Sequence, residues 1–151
     1  MKISSRFTVA THMLICAEYF SEQYKITSDF LSKSVRTNPV VIRKIMGMLK
    51  NHGLIEVASG TGGIHLKIPS DELTLLDIYQ AVALPEDQLL FSMHENTEPR
   101  CPVGRNISAV LSPALQKAQH TMEESLQRTT LSELIYDLKE RVEEETVPNV
   151  K

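Results

Sequence analysis

The spacing of apolar residues in the first third of the chain predicts three helices. Apolar side chains recur every three or four positions between about residue 5 and about residue 21, which indicates a helix with a wide buried face. Thr27 can cap a short second helix that ends by Arg36. Asn38, followed directly by a proline, can cap a third helix that Gly53 closes. Two helices joined by a short link have the outline of a helix-turn-helix.

Alternating apolar and polar residues then predict two strands, at residues 54–58 and 64–68. The segment between them, residues 59–63, is rich in glycine, which tight turns with positive φ favour. A phosphate-binding nucleotide loop is excluded, because such a loop opens a helix with Gly-Lys-Ser/Thr and this one leads into a strand. A helix-turn-helix followed directly by a β-hairpin predicts a winged helix.

The second half of the chain predicts further helices and one long loop. Thr74, with Asp three residues later, has the pattern of a capping box, and residues 85–103 read as a loop. Beyond Gly104, apolar residues step by four, four, three, four and four, close to a heptad repeat, which indicates a long helix that needs a partner. Pro113 either bends this helix or restarts it, and Thr130 begins a second capping box before the last helix. The predicted dimer interface is the apolar seam of the long helix, which consists of Ile107, Leu111, Leu115, Ala118, Met122 and Leu126.

These elements predict a mainly α fold with a small β-hairpin, in which a winged helix-turn-helix DNA-binding domain precedes a long dimerisation helix. The length of 151 residues suits one domain with an appendage. The predicted divisions are a winged-helix domain at 1–70, a linking helix and sensor-like loop at 71–103, dimerisation helices at 104–145 and a flexible tail at 146–151.

The composition indicates a globular protein without a membrane span, a disulfide framework or a catalytic centre. Charge or proline interrupts the apolar stretches, and the first residues lack the apolar run of a signal peptide, so we expect a cytoplasmic protein. Cys16 and Cys101 lie far apart, which favours neither a disulfide framework nor a structural zinc site. The five His are scattered and the acidic residues lie mostly on predicted surface helices, so we expect no catalytic residues.

The charges divide the chain into a basic and an acidic half. Residues 1–70 carry nine Lys/Arg against four Asp/Glu, a net charge of +5, whereas residues 71–151 carry seven against fifteen, a net charge of −8. A basic first half suggests that this part meets a polyanion. Two solvated surfaces of opposite sign are the alternative.

The third helix offers a polar face on the side away from its core positions. Val40, Arg43, Lys44, Gly47 and Lys50 share that face. An arginine can bind guanine O6 and N7 with two hydrogen bonds, a valine can contact a thymine methyl, and lysines bind phosphates in a salt-dependent way. The face therefore suits a DNA major groove, while an ordinary solvated amphipathic helix remains the alternative.

Several short motifs occur in an order that is specific when they are taken together. They are residues 2–7 (KISSRF), 37–45 (TNPVVIRKI), 49–55 (LKNHGLI), 60–63 (GTGG) and 73–82 (LTLLDIYQAV). With this order of elements, the chain resembles the bacterial Rrf2 family of transcription regulators, also called the BadM/IscR/NsrR/CymR family. Residues 101–107 (CPVGRNI) are similar to the YwnA-like branch of that family.

The resemblance implies a homodimer that places the third helix in the major groove of double-stranded DNA and the wing in the adjacent minor groove. Many wings of the family carry an arginine before the glycines, whereas this chain has Ala58-Ser59 there, so the resemblance does not supply a minor-groove arginine. The implied DNA contacts are Ser4, Ser5 and Arg6 at the start of the first helix and Thr37, Asn38, Val40, Arg43 and Lys44 in the recognition segment. Lys50 and the wing residues Gly60, Thr61, Gly62 and Gly63 complete the predicted interface.

The sensor loop departs from the family pattern. Well-known members bind an iron–sulfur cluster through three cysteines of this loop, and here the loop holds only Cys101, so we predict no cluster, no metal and no other cofactor. A zinc site from His94 and Cys101 would still lack two ligands. Cys101 lies between Arg100 and Arg105 just before a helix, which favours a reactive thiolate, and a packed loop residue is the alternative.

The sequence thus predicts a DNA-binding transcriptional regulator, a repressor on a pseudo-palindromic operator, with Cys101 as candidate redox sensor. A winged helix that binds another protein is one alternative. A regulator whose effector binds between the wing domain and the long helix is another, and the sequence does not identify that effector.

Overall fold

The computed structural model describes residues 5–60, 62–83 and 89–146. Two predicted site residues, Ser4 and Thr61, lie outside these ranges, as do Pro85 and residues 147–151 of the predicted tail at 146–151, whose first residue, Thr146, is the last residue of a helix. The elements in chain order are α1 (Ser5–Tyr19), α2 (Ser28–Val35), α3 (Pro39–Asn51), β1 (Ile55–Val57), β2 (Ile64–Leu66), α4 (Leu75–Val82), α5 (Pro102–Arg128) and α6 (Leu131–Thr146). Over the described ranges, every helix is too short or too polar to cross a bilayer.

The helix-turn-helix forms with the caps that the sequence predicts. The Thr27 hydroxyl accepts a hydrogen bond from the Phe30 N–H at 3.2 Å and so begins α2. Arg36 ends α2 in the left-handed conformation, with φ of 56°. Asn38 Oδ1 then accepts from the Val40 N–H at 2.8 Å, with Pro39 as the first residue of α3. Arg36, Asn38 and Pro39 therefore turn the chain sharply between α2 and α3.

The wing is an antiparallel hairpin that is shorter than the sequence predicts. Each strand has three residues, and Ile55, Glu56 and Val57 pair with Leu66, His65 and Ile64. The hairpin is tied to the helical part, because the Ile64 N–H donates to the Ile26 carbonyl at 2.9 Å.

The core lies between α1, α2, α3 and α4 and is covered by the first turns of α6. Met13 and Leu14 of α1, Ile45 of α3 and Ile78 of α4 are essentially inaccessible to water. Leu131 and Ile135 bring α6 into the same cluster. In contrast, α5 contributes no buried residue along its 27 positions and packs against α4.

The predicted capping box of α4 is present. The Asp77 N–H donates to Thr74 Oγ1 at 3.2 Å, and the Thr74 N–H donates to Asp77 Oδ2 at 2.8 Å. Of the second predicted box, the structure shows the Glu133 N–H donating to the Thr130 hydroxyl at 3.4 Å. Thr130 also forms a β-bridge with Thr74, so the junction of α5 and α6 is fastened to the start of α4.

The long helix differs from its prediction at its start. It begins at Pro102, two residues before the predicted boundary at Gly104, because a proline suits the first helical position, where its missing N–H costs no hydrogen bond. Pro113 lies inside a single continuous helix, so the chain neither ends nor restarts there.

Candidate nucleic-acid interface

The outward face of α3 is the most distinctive surface of the helix-turn-helix. Ile42, Ile45 and Leu49 bury the inner face of α3. On the outer face Val40 is 66% exposed, a large value for an apolar residue, and Arg43, Lys44 and Lys50 are also exposed, with Gly47 half-buried among them. The structure therefore brings these predicted residues together on one face.

The charge of α3 has one sign. The helix carries Arg43, Lys44 and Lys50 and no acidic residue. Three cations along a helix of 13 residues create a positive potential, which attracts phosphates and is screened by salt. This face can bind a polyanion and has apolar side chains that can meet base methyl groups.

Thr37 and Asn38 lie at the N-terminus of α3, which has the positive end of the helix dipole. Thr37 is half-buried, while Asn38 is exposed. Asn38 Oδ1 already caps the Val40 N–H, so its side chain fixes the start of α3 and offers its Nδ2 as a donor. Asn38 is therefore the N-cap of α3, as the sequence predicts, in addition to being a predicted DNA contact.

The start of α1 holds two further predicted contacts. Ser5 is exposed as the first residue of α1. Arg6 is half-buried, and its Nε donates to the Val82 carbonyl at 3.3 Å. This bond joins α1 to the end of α4, and sequence reasoning missed it because the partners are 76 residues apart.

The glycines of the wing have different surroundings. A Cβ at Gly60 would meet no atom within 4 Å, although φ is +70° there. A Cβ at Gly63, with φ of +80°, would lie 2.8 Å from the Ile26 nitrogen and 2.9 Å from its carbonyl oxygen. Gly60 therefore belongs to the exposed tip, whereas Gly63 is buried and forms the root of the wing.

The two cysteines occupy opposite environments. Cys101 is exposed and precedes the first residue of α5, and its N–H donates to the Glu98 carbonyl at 3.2 Å. A Cβ at Gly104 would approach the same carbonyl to 2.6 Å, so this glycine permits the tight turn. Cys16 is buried in α1, and burial raises the pKa of its thiol more than the hydrogen bond with Ser34 lowers it. Cys101 is thus exposed rather than packed, and Cys16 is core, as predicted.

The predicted apolar seam of α5 is only partly exposed. Ile107, Leu115, Met122 and Leu126 are half-buried, Leu111 is 37% exposed and Ala118 is exposed. The most exposed apolar residues of α5 are Val103 at 68% and Val110 at 71%, which the heptad pattern did not include. Their spacing of seven residues was the available signal.

A large apolar groove lies between α1 and α6, with a volume of about 730 Å³. Its position differs from the predicted effector site between the wing domain and the long helix. It is lined by Phe7, Thr8, Thr11, His12, Ile15, Cys16, Tyr19, Phe20 and Ser34, by Leu75 at the start of α4, and by Leu134, Leu138 and Val142 of α6.

Comparison with known proteins matches nearly the whole chain. A family model described as "Rrf2: Iron-dependent Transcriptional regulator" matches residues 3–137. The Bacillus subtilis (strain 168) protein YwnA, named as an HTH-type transcriptional regulator, is 35% identical over 136 residues, which are 90% of this chain and 98% of YwnA.

Solved structures have the same fold. A protein described as DNA-binding is 30% identical with a TM-score of 0.70, and the match covers 87% of this chain and 99% of that one. A transcriptional regulator from Lactobacillus plantarum is 26% identical with a TM-score of 0.74, and the match covers 89% and 90%. The predicted fold class, mainly helical with a winged helix-turn-helix, is confirmed.

The matching family is described as iron-dependent, so an iron–sulfur cluster has to be considered. Iron–sulfur clusters are held by several thiolates at fixed positions. The sequence has two cysteines, one buried in α1 and one exposed before α5. Among the residues with a described position, no three His, Cys, Asp or Glu side chains converge to hold a metal ion. The residues present do not fit an iron–sulfur cluster.

Proposed function

The chain belongs to the Rrf2 family of transcriptional regulators, and from this membership we propose that it is a sequence-specific DNA-binding repressor. It acts in the bacterial cytoplasm as a homodimer on a pseudo-palindromic operator, without a catalytic step. The observation that carries the proposal is the outward face of α3, which combines three cations, no acidic residue and an exposed valine at the front of a helix-turn-helix.

Each side chain of this face has a chemical role in the proposal. Arg43 binds the edge of a guanine, and Val40 contacts a thymine methyl in the major groove. Lys44 and Lys50 bind phosphates, and so does Ser5 at the start of α1. The exposed tip of the wing at Gly60 follows the backbone of the adjacent minor groove, with the half-buried Gly62 packed against Ala58 behind it.

We propose the same division of the chain into functional parts that the sequence predicts. Residues 1–70 bind DNA, residues 71–103 link and carry the sensor-like loop, and residues 104–145 dimerise. The acidic second half keeps that part away from DNA, because its net charge of −8 repels phosphates.

Fluorescence anisotropy of labelled duplexes tests the function directly. We expect the protein to bind the DNA upstream of its own gene at least about 1,000-fold more tightly than an unrelated duplex at physiological salt, because specific sites exceed non-specific DNA by this order. Equal affinity for the two duplexes, repeated with sites selected from the whole genome, would contradict a sequence-specific regulator.

We further propose that Cys101 makes the repressor responsive to hydroperoxides. Its thiolate attacks the peroxide oxygen, which gives a sulfenic acid on the protein and releases the corresponding alcohol or water. Exposure of Cys101 supports this role, and the burial and raised pKa of Cys16 make the second thiol slow to react.

Mild oxidation provides the prediction for Cys101. We expect one equivalent of hydrogen peroxide to lower operator affinity at least about fivefold, the lower range of allosteric coupling. Cys101→Ser, which keeps Cys16, should bind like the reduced parent before and after oxidation. Anisotropy measures the affinity, and mass spectrometry locates the added oxygen. If oxidation also lowered the operator affinity of the Cys101→Ser variant, Cys101 would not be the sensor.

A further inference from the structure

Arg36 ends α2 with a backbone conformation that its residue type disfavours. Its φ of 56° and ψ of 48° lie in the left-handed region, where the Cβ of an L-residue crowds the following carbonyl oxygen. Asn96 is the other non-glycine residue of the described ranges with a positive φ, and asparagine tolerates this region better than arginine does. Glycine is the usual residue at such a helix end, so the arginine lowers the stability of the fold in this respect.

The turn of the helix-turn-helix requires this backbone conformation. The N–H groups of Arg36 and Thr37 both donate to the Ser32 carbonyl, the second of them at 3.2 Å. The two bonds end α2 at Val35, and α3 begins at Pro39 after three intervening residues. The fold therefore needs the left-handed backbone at this position, but it does not need an arginine side chain there.

The guanidinium of Arg36 has no partner in its own subunit. The residue is exposed, and within the described ranges no hydrogen-bond acceptor or carboxylate binds its side chain. Its remaining interaction with the fold is the attraction of its charge to the negative end of the α2 dipole, which Lys33 in the last turn also supplies. A side chain that costs the fold stability and makes no contact there indicates a role outside the chain.

The position and charge of Arg36 suit a phosphate of DNA. In a helix-turn-helix the first helix crosses the sugar-phosphate backbone, and the N-terminus of the second enters the major groove. Arg36 lies where the first ends, and three Cα–Cα steps place it within about 11 Å of Pro39, where the second begins. Residues 30–55 contain no acidic residue and five cations, which are Lys33, Arg36, Arg43, Lys44 and Lys50.

We propose that Arg36 binds a phosphate at the edge of the major groove in which α3 lies, and that the chain keeps an arginine in a strained conformation for this contact. A guanidinium can bind a phosphate through two parallel hydrogen bonds. The inference rests on the DNA binding of the proposed function and adds a contact that fixes the position of the helix-turn-helix on the backbone. Unlike Arg43, Arg36 reads no base.

Removal of the cation without removal of the left-handed conformation tests the proposal. Arg36→Asn and Arg36→Gly both suit a positive φ and carry no charge. Fluorescence anisotropy should show that each variant binds the DNA upstream of the gene at least about fivefold more weakly than the parent, and binds an unrelated duplex more weakly by a similar factor. The slope of log affinity against log salt should become shallower by about 1 for each subunit bound.

The same two variants should be at least as stable as the parent. Relief of the strained backbone should raise the equilibrium constant for folding about two- to fivefold in Arg36→Gly, because the gain exceeds the extra freedom of glycine in the unfolded chain. Urea denaturation followed by circular dichroism measures this change. A residue with only a structural role would not give weaker DNA binding together with higher stability, and a more stable variant does not bind weakly through misfolding.

Two control variants separate the charge at residue 36 from the net charge of the protein. Arg36→Lys keeps the cation and loses the paired hydrogen bonds, so the salt slope should stay that of the parent and both affinities should fall less than about threefold. Lys139→Asn removes a cation from an exposed position of α6, outside the helix-turn-helix, and should change both affinities less than about twofold.

Three results would overturn the inference, and they differ in what else they affect. A parent protein that binds neither the upstream DNA nor sites selected from the whole genome would remove the proposed function as well. A parent that binds specifically, with Arg36→Asn equal to it in affinity and salt slope, would remove only the phosphate contact and assign the arginine to the end of α2. A loss confined to the upstream DNA, with an unchanged salt slope, would assign Arg36 to a base instead of a phosphate.

Discussion

Replacement of Arg43 by alanine should lower affinity for the operator by about 5- to 100-fold, which corresponds to one bidentate contact with a base. Arg43 lies on the exposed face of α3, one turn after Val40, where the helix begins. A guanidinium there donates two hydrogen bonds to a guanine edge, and alanine donates none. Affinity for the operator should decrease and affinity for unrelated DNA should change little. The ratio of the two affinities should therefore decrease by nearly the same factor as the operator affinity.

Lys50→Ala is the matched control for this variant. It removes a cation from the same helix, but at its last turn, away from the N-terminal residues that approach bases. Its affinity for the two duplexes should fall by a similar factor, and the slope of log affinity against log salt should become shallower by about 1. Anisotropy titrations at four salt concentrations measure both quantities. Operator binding by Arg43→Ala equal to that of the parent would remove Arg43 from the interface.

The local elements of this fold follow from short-range rules, which is why the sequence could predict them. Thr27, Asn38 and Thr74 each accept a hydrogen bond from an N–H two or three residues later, so their caps need no tertiary information. The family assignment from short motifs, including the likeness to YwnA, is confirmed by the family model and by the 35% identity.

Long-range contacts account for what the sequence could not predict. The bond from Arg6 to the Val82 carbonyl and the packing of Gly63 on Ile26 join segments that are distant in the chain. The heptad pattern of α5 identified residues that share a face, but it could not show that α4 would leave most of that face half-buried. Val103 and Val110 lie outside the pattern, and their spacing of seven residues alone did not reveal that they are the most exposed apolar residues of the helix.

The wing also shows why strand lengths were overestimated. Alternation of apolar and polar residues continues beyond Val57 and Leu66. The sheet has two strands, so each strand is hydrogen-bonded to a neighbour along one edge and not along the other. Two-stranded ribbons are marginal by themselves and need packing against other elements. Here that packing comes from Ile26, whose carbonyl accepts from the Ile64 N–H. The buried side chains of Ile55 and Ile64 also join the wing to the core, so the wing is held both by apolar packing and by this hydrogen bond at its root.

Gly63→Ala should lower the free energy of unfolding by about 2 to 4 kcal/mol. Two costs contribute. A φ of +80° is unfavourable for a residue with a Cβ, and the new methyl group would meet backbone atoms of Ile26 at 2.8 and 2.9 Å. Backbone atoms cannot rotate away, so the wing must move from the segment that holds Ile26, just before α2, and the hydrogen bond between Ile64 and Ile26 must lengthen. Urea denaturation followed by circular dichroism measures the change.

Gly60→Ala separates the two costs. Its φ of +70° is similar, but a Cβ there meets nothing within 4 Å, so we expect a loss of only about 1 kcal/mol. The difference between the two variants isolates the steric contact with Ile26. Because DNA binding requires a correctly placed wing in the proposed function, Gly63→Ala should also weaken operator binding at temperatures where it remains folded. Equal destabilisation by the two substitutions would show that backbone conformation alone, and not the packing on Ile26, makes glycine necessary at the root of the wing.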